Sequence, residues 1–164
     1  MRRGLVLLTL IGLVPAAARA QTVTLSVSSL GSAMQNPTLA NYDAGFVTDA
    51  TPASYTVTLT NASAKNNCTY ATAVQVRASS ATIGNAKAIS TVSWSTGGAY
   101  TALTQSWATI ATHNLVKATG QSTANTATGS LTFRVALAWS ETSASFAGTA
   151  LEFQASVSPT GTGC

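Results

Sequence analysis

Charge is scarce in this chain. Its 164 residues include 8 Lys or Arg, 4 Asp or Glu and one His. Arg2, Arg3 and Arg19 fall within the first 20 positions, so residues 21–164 carry five basic groups against four acidic ones, a net charge of +1. A surface so neutral has no basic patch to gather phosphates, which argues against nucleic acid as a partner.

Catalytic groups are just as sparse. His113, in "IATHNLVK", has no acid nearer in sequence than Asp49 and Glu141, and no G-x-S-x-G elbow exists. It reads as a surface or loop histidine. Glu141 and Glu152 are a poor glycosidase pair, because Glu152 alternates as an outward strand residue. Asp43 and Asp49, in "NYDAGFVTDA", lack EF-hand spacing and read as Asx-turn residues of a loop rather than calcium ligands. Two Cys and one distant His make no zinc spacing. The expectation is therefore no catalytic residues, no metal, no cofactor and no enzyme.

Apolar runs are confined to the start. "MRRGLVLLTLIGLVPAAARA" has a basic beginning, an apolar stretch from Gly4 to Val14 and small residues at Ala18-Arg19-Ala20, the layout of a secretory signal peptide. Its apolar part is shorter than the roughly 20 residues a bilayer span takes. Residues 1–20 are thus expected as a cleaved signal helix and 21–164 as one exported domain, secreted, at the cell surface or in the periplasm. No membrane span is expected after cleavage.

What is abundant is threonine and serine, 26 and 19 in residues 21–164, set between apolar residues at strand period. "TVTLSVSSL" alternates Val23, Leu25 and Val27 with polar residues, and "SYTVTLTN" does so with Tyr55, Val57 and Leu59. "TAVQVRAS", "STVSWST" and "TALEFQASV" continue the pattern. "GSLTFRVALAW" puts Leu131, Phe133, Val135, Leu137 and Trp139 on one side and Arg134 on the other. Strict alternation over four to eight residues marks half-buried strands. About seven short antiparallel strands, each with one wet face, predict an all-β fold built as a two-sheet sandwich, immunoglobulin-like or jelly-roll. If the strands holding Arg134 and Glu152 form a hairpin across "SETSASFAGT", these two charges share an outer face.

A few residues remain as candidates. Trp94 has the parity of Val92 and belongs to the core, whereas Tyr100 and Trp107 are candidate glycan contacts. Asn61-Ala62-Ser63 and Asn67-Cys68-Thr69 match the glycosylation sequon. An even cysteine count in an exported chain favours a Cys68–Cys164 disulfide. That bridge closes a loop of about 96 residues and contributes roughly 4 kcal/mol in the chain-entropy view. A link between subunits through Cys164 is the alternative.

A leader, a strand directly after the cut and a Thr-rich chain ending in "SASFAGTALEFQASVS" together resemble the TasA/camelysin-type secreted β-sandwich proteins. The resemblance implies extracellular fibres in which the first strand of one subunit completes the sheet of the next. The terminal Cys and the low charge depart from that family. The expected function is a non-catalytic structural or adhesive subunit of a fibre, matrix or pilus, self-associating or bound to other surface proteins. Val23, Leu25 and Val27 would be the exchanged residues and residues 31–45 the hinge. An extracellular carbohydrate-binding module is the alternative.

Overall fold

Alternating apolar and hydroxyl-bearing residues give almost every element of this protein an extended form. The computed structural model describes residues 22–28, 36–49, 51–60, 68–84, 86–117, 126–141 and 151–160. In chain order these hold β1 (Thr22–Ser28), helix α1 (Leu39–Ala44), β2 (Phe46–Thr48), β3 (Ala53–Thr60), β4 (Thr69–Ala78), β5 (Thr82–Ile83) and β6 (Lys87–Ala88). A short 3-10 turn precedes β7 (Val92–Ser95), followed by β8 (Thr101–Ala102), β9 (Ala108–Val116), β10 (Thr126–Ala136) and β11 (Leu151–Pro159). The leader, the sequon residues Asn61 and Asn67, and Cys164 lie outside the described residues.

The fold is all-β and its pairings are antiparallel. One sheet runs β1-β3-β10-β7-β8, with β2 also on β10; a second runs β11-β4-β9; β5 and β6 pair by themselves. β10 organises the larger sheet. Its first half pairs β3, from Thr126 opposite Thr58 to Leu131 opposite Ala53. Its second half lies between β2 and β7, with Arg134 opposite both Thr48 and Ser93.

The inward residues of both larger sheets share one buried cluster. Val57 of β3, Val74 and Val76 of β4, Ile110 of β9 and Leu131, Phe133 and Val135 of β10 all belong to it. Fully burying side chains of this kind stabilises by roughly 1.5–3 kcal/mol each. The phenol of Tyr55 (β3) and Nε2 of His113 (β9) share a hydrogen bond at 3.0 Å, which joins the two sheets directly. That reach needs Gly129, opposite Tyr55 in the ladder: a Cβ there would sit 2.3 Å from the phenol oxygen.

The structure departs from two expectations and does not form the conditional hairpin. Trp139 is 63% exposed, because β10 ends at Ala136 and the tryptophan lies in the following turn, stacked on Tyr42 with centroids 5.4 Å apart. β10 and β11 form no hairpin; they belong to different sheets. β2 and β7 already occupy both flanks of β10 around Arg134, so β11 pairs β4 and Glu152 meets Arg77 instead. Finally, part of the stretch expected as a hinge is helix α1. Thr38 and Asn41 form its capping box, and Gly45 ends it in the left-handed region at φ 75°.

Candidate binding groove beside Arg134

An open groove of about 340 Å³ lies on the larger sheet, where Arg134 projects away from the core between the buried Phe133 and Val135. Local sequence explains how its walls are placed. Gly45, which closes α1, delivers the chain straight into β2 and so sets Phe46 beside Arg134. Across the strand, Ser93 of β7 accepts a hydrogen bond from Arg134 Nε at 3.2 Å. The next loop turns at Gly97, whose φ of 115° disfavours any side chain. Ser95 Oγ holds that turn, accepting from the Gly97 and Gly98 amides at 3.0 Å and donating to the Gly98 carbonyl at 2.9 Å. The chain then returns with Tyr100 against the arginine.

The guanidinium is therefore supported by two rings. Its central carbon lies 4.0 Å from the Tyr100 centroid and 5.2 Å from that of Phe46, within cation–π range. Phe46 is 38% exposed and offers an apolar edge, while Ser90, Thr91 and Ser93 add hydroxyls to the lining.

The second glycan candidate is elsewhere. Trp107 precedes β9, and Arg77 of β4 lies over its ring at 4.4 Å from the centroid. Tyr100 and Trp107 are thus held by different sheets, each under its own arginine. Arg77 is neutralised by Glu152, with Nε 2.6 Å from Oε2.

The remaining chemistry-bearing groups have structural partners. Glu141 accepts from Lys87 and from the Ala138 amide, and its backbone carbonyl accepts from the Tyr42 hydroxyl. The hydrogen bond from Lys87 holds the Glu141 carboxyl below its ordinary pKa. Glu141 and Glu152 therefore serve two separate ion pairs rather than one site. Asp49 is buried and accepts from the Thr51 amide at 3.0 Å, an Asx-turn contact. Asp43 is exposed on α1. His113 belongs to a strand and is half-buried, so the surface-or-loop expectation is corrected: it faces a core tyrosine, whose phenol burial pushes above its ordinary pKa. Trp94 is buried as its parity predicts. Among the described residues no group of three His, Cys, Asp or Glu is placed to hold a metal ion, and no helix is long and apolar enough to cross a membrane.

Of the exchange candidates, Leu25 and Val27 pack against the core cluster from β1. Cys68 is buried immediately before β4. Sequence reasoning singled out Tyr100 but missed Arg134, Ser93 and Phe46 as its neighbours. The alternation marked Arg134 as outward, but not which strands would flank it.

No protein-family model, curated protein or solved structure matches this chain.

Proposed function

We propose that this chain is an exported, non-catalytic β-sandwich with a structural or adhesive role, assembling through its first strand as TasA/camelysin-type fibre subunits do. The observation that carries this reading is the position of β1. It is the edge strand of the larger sheet and pairs β3 along all of its 7 residues, from Thr22 opposite Thr60 to Ser28 opposite Ser54. A strand from a second copy can make the same backbone ladder, with Leu25 and Val27 filling the same core sites. The cis arrangement described here is then the closed, monomeric form. Open head-to-tail exchange builds a fibre from the identical contacts.

Export by cleavage after Ala20 belongs to the same proposal, with the mature chain outside the cell or in the periplasm. So does the Cys68–Cys164 bridge. β11 continues antiparallel to β4 until the Thr160 amide bonds the Thr69 carbonyl at 2.9 Å, one residue from Cys68. Cys164 follows Thr160 by only four residues in sequence, which favours an intrachain link. The carbohydrate-binding alternative, resting on Tyr100 and Trp107 together, has less support, because different sheets hold the two rings.

Sedimentation velocity of the mature chain tests the assembly. Concentration-dependent polymers that Leu25→Asp abolishes are the expected outcome, since that change would bury an unpaired carboxylate in a neighbour's core. A monomer at every concentration, ionic strength and pH overturns it.

A further inference from the structure

The groove beside Arg134 has a feature that assembly through β1 does not use. The chain has only 4 acidic residues, and none pairs with Arg134: Glu141 serves Lys87, Glu152 serves Arg77, Asp49 caps its turn and Asp43 makes no ion pair among the described residues. Arg134 Nε is occupied by Ser93 Oγ, and the two terminal amino groups have no partner among the described residues. A half-buried guanidinium braced by two rings, with its terminal donors unused, is prepared for a planar anion. Arginine's fork matches a carboxylate in two parallel hydrogen bonds.

We infer that this groove binds an acidic sugar, a hexuronate residue of a glycan, with Arg134 holding the carboxylate. Three observations set the class. Among the described residues the lining contains no second cation, so a polyphosphate or nucleic-acid strand would bring charge that nothing there offsets. Beside the single positive charge, the hydroxyls of Ser90, Thr91 and Ser93 suit a polyol. Phe46, Ala102 and Ala136 offer the apolar surface on which the C–H face of a pyranose packs. The volume, about 340 Å³, is at the small end of ligand sites and admits one or two sugar residues.

The molecule contains its own example of the contact. Arg77 lies over Trp107 as Arg134 lies over Tyr100, and there Nε meets a carboxylate 2.6 Å away. In the groove the carboxylate comes from outside and meets the terminal amino groups, because Ser93 takes Nε. The inference stands apart from self-assembly. The groove is on the β10–β7–β8 side of the sheet, and β1 is at the opposite edge, so a strictly monomeric protein can still bind.

The test is a titration of the mature chain with D-glucuronate, D-glucose, acetate and inorganic phosphate, read by backbone-amide NMR. Saturable shifts for glucuronate at Gly45 and Ala102 are expected, with affinity at least about tenfold above that for the other three probes. Arg134→Gln should lose that tenfold preference, and Arg134→Lys should lose most of it, because an ammonium cannot reproduce the fork. The comparison among probes on the unmutated protein needs no variant to fold. Equal binding of acetate or phosphate removes the sugar from the proposal, equal binding of glucose removes the arginine, and shifts elsewhere or none at all overturn it.

Discussion

Two arginines of this protein lie over aromatic rings on different sheets, with different counterparts for their charge. Arg77 covers Trp107 and is paired with Glu152 from the adjacent strand β11, with the two side chains 37% and 40% exposed. Arg134 covers Tyr100 and is braced by Phe46, but its strand neighbours supply only the hydroxyl of Ser93. Ring support is therefore common to both faces, and the carboxylate is what separates them. On the β4 face the ladder register places Glu152 directly opposite Arg77 and completes the contact within the chain. On the β10 face the register places Thr48 and Ser93 opposite Arg134, and the contact is left for a ligand.

Both faces rest on one shared buried cluster, and the Tyr55–His113 joint between the sheets is the place where they are most easily separated. Gly129→Ala drives a methyl into the Tyr55 ring that reaches His113, so a loss of about 3 kcal/mol is expected in chemical denaturation. Both arginine faces should lose order together. A loss confined to one sheet would show that the faces are independent.

A smaller effect is expected where the groove's wall is tied down. Glu141 anchors Tyr42 of α1 and Lys87 of β6, and α1 leads directly to Phe46. Glu141→Ala should cost about 2 kcal/mol, since it removes the carboxylate paired with a mostly buried ammonium. The effect depends on pH in a defined direction. The folded-state pKa of Glu141 is lowered, chiefly by the Lys87 hydrogen bond. Its contribution is therefore complete above the ordinary carboxylate range and disappears as pH falls through that range towards the folded value. The melting-temperature gap between the protein and Glu141→Gln should narrow on acidification, and a gap that widens contradicts the assignment.

Removing one braced cation is milder. Tyr100→Ala should cost about 1 kcal/mol and free the Arg134 side chain, measurable as loss of dispersion in its Nε–Hε NMR signal. The smallest effect belongs to the other face. Glu152→Gln breaks an exposed pair and should change stability by only about 0.5 kcal/mol in thermal unfolding.

The fold was legible wherever parity was enforced by burial. Tyr55, Val57, Leu59, Val74, Val76, Leu131, Phe133 and Val135 all face inward as their alternation requires. Periodicity carries no information on which strand lies beside which, so it leaves open a β10–β11 hairpin that the neighbours on both flanks of β10 exclude. Nor does it mark where a strand stops, so the alternation runs on to Trp139 although β10 ends at Ala136. Helix α1 was missed because its 6 residues are too few for a helical stripe, although Thr38, Asn41 and Gly45 carried its capping signals. The groove was legible only as Tyr100. Its arginine, serine and phenylalanine come from three strands far apart in sequence, and only the ladder register brings them together.

The most direct measurement of what separates the two faces is a paired amide-NMR titration of residues 21–164 and of their Glu152→Gln variant with D-glucuronate. The account predicts that the unaltered protein responds at Gly45 and Ala102 alone, and that Glu152→Gln adds a second response around Trp107 and Ala108, where Arg77 has lost its internal carboxylate. A response of the unaltered protein at Trp107, or no response at Gly45 and Ala102 in either protein, would contradict it.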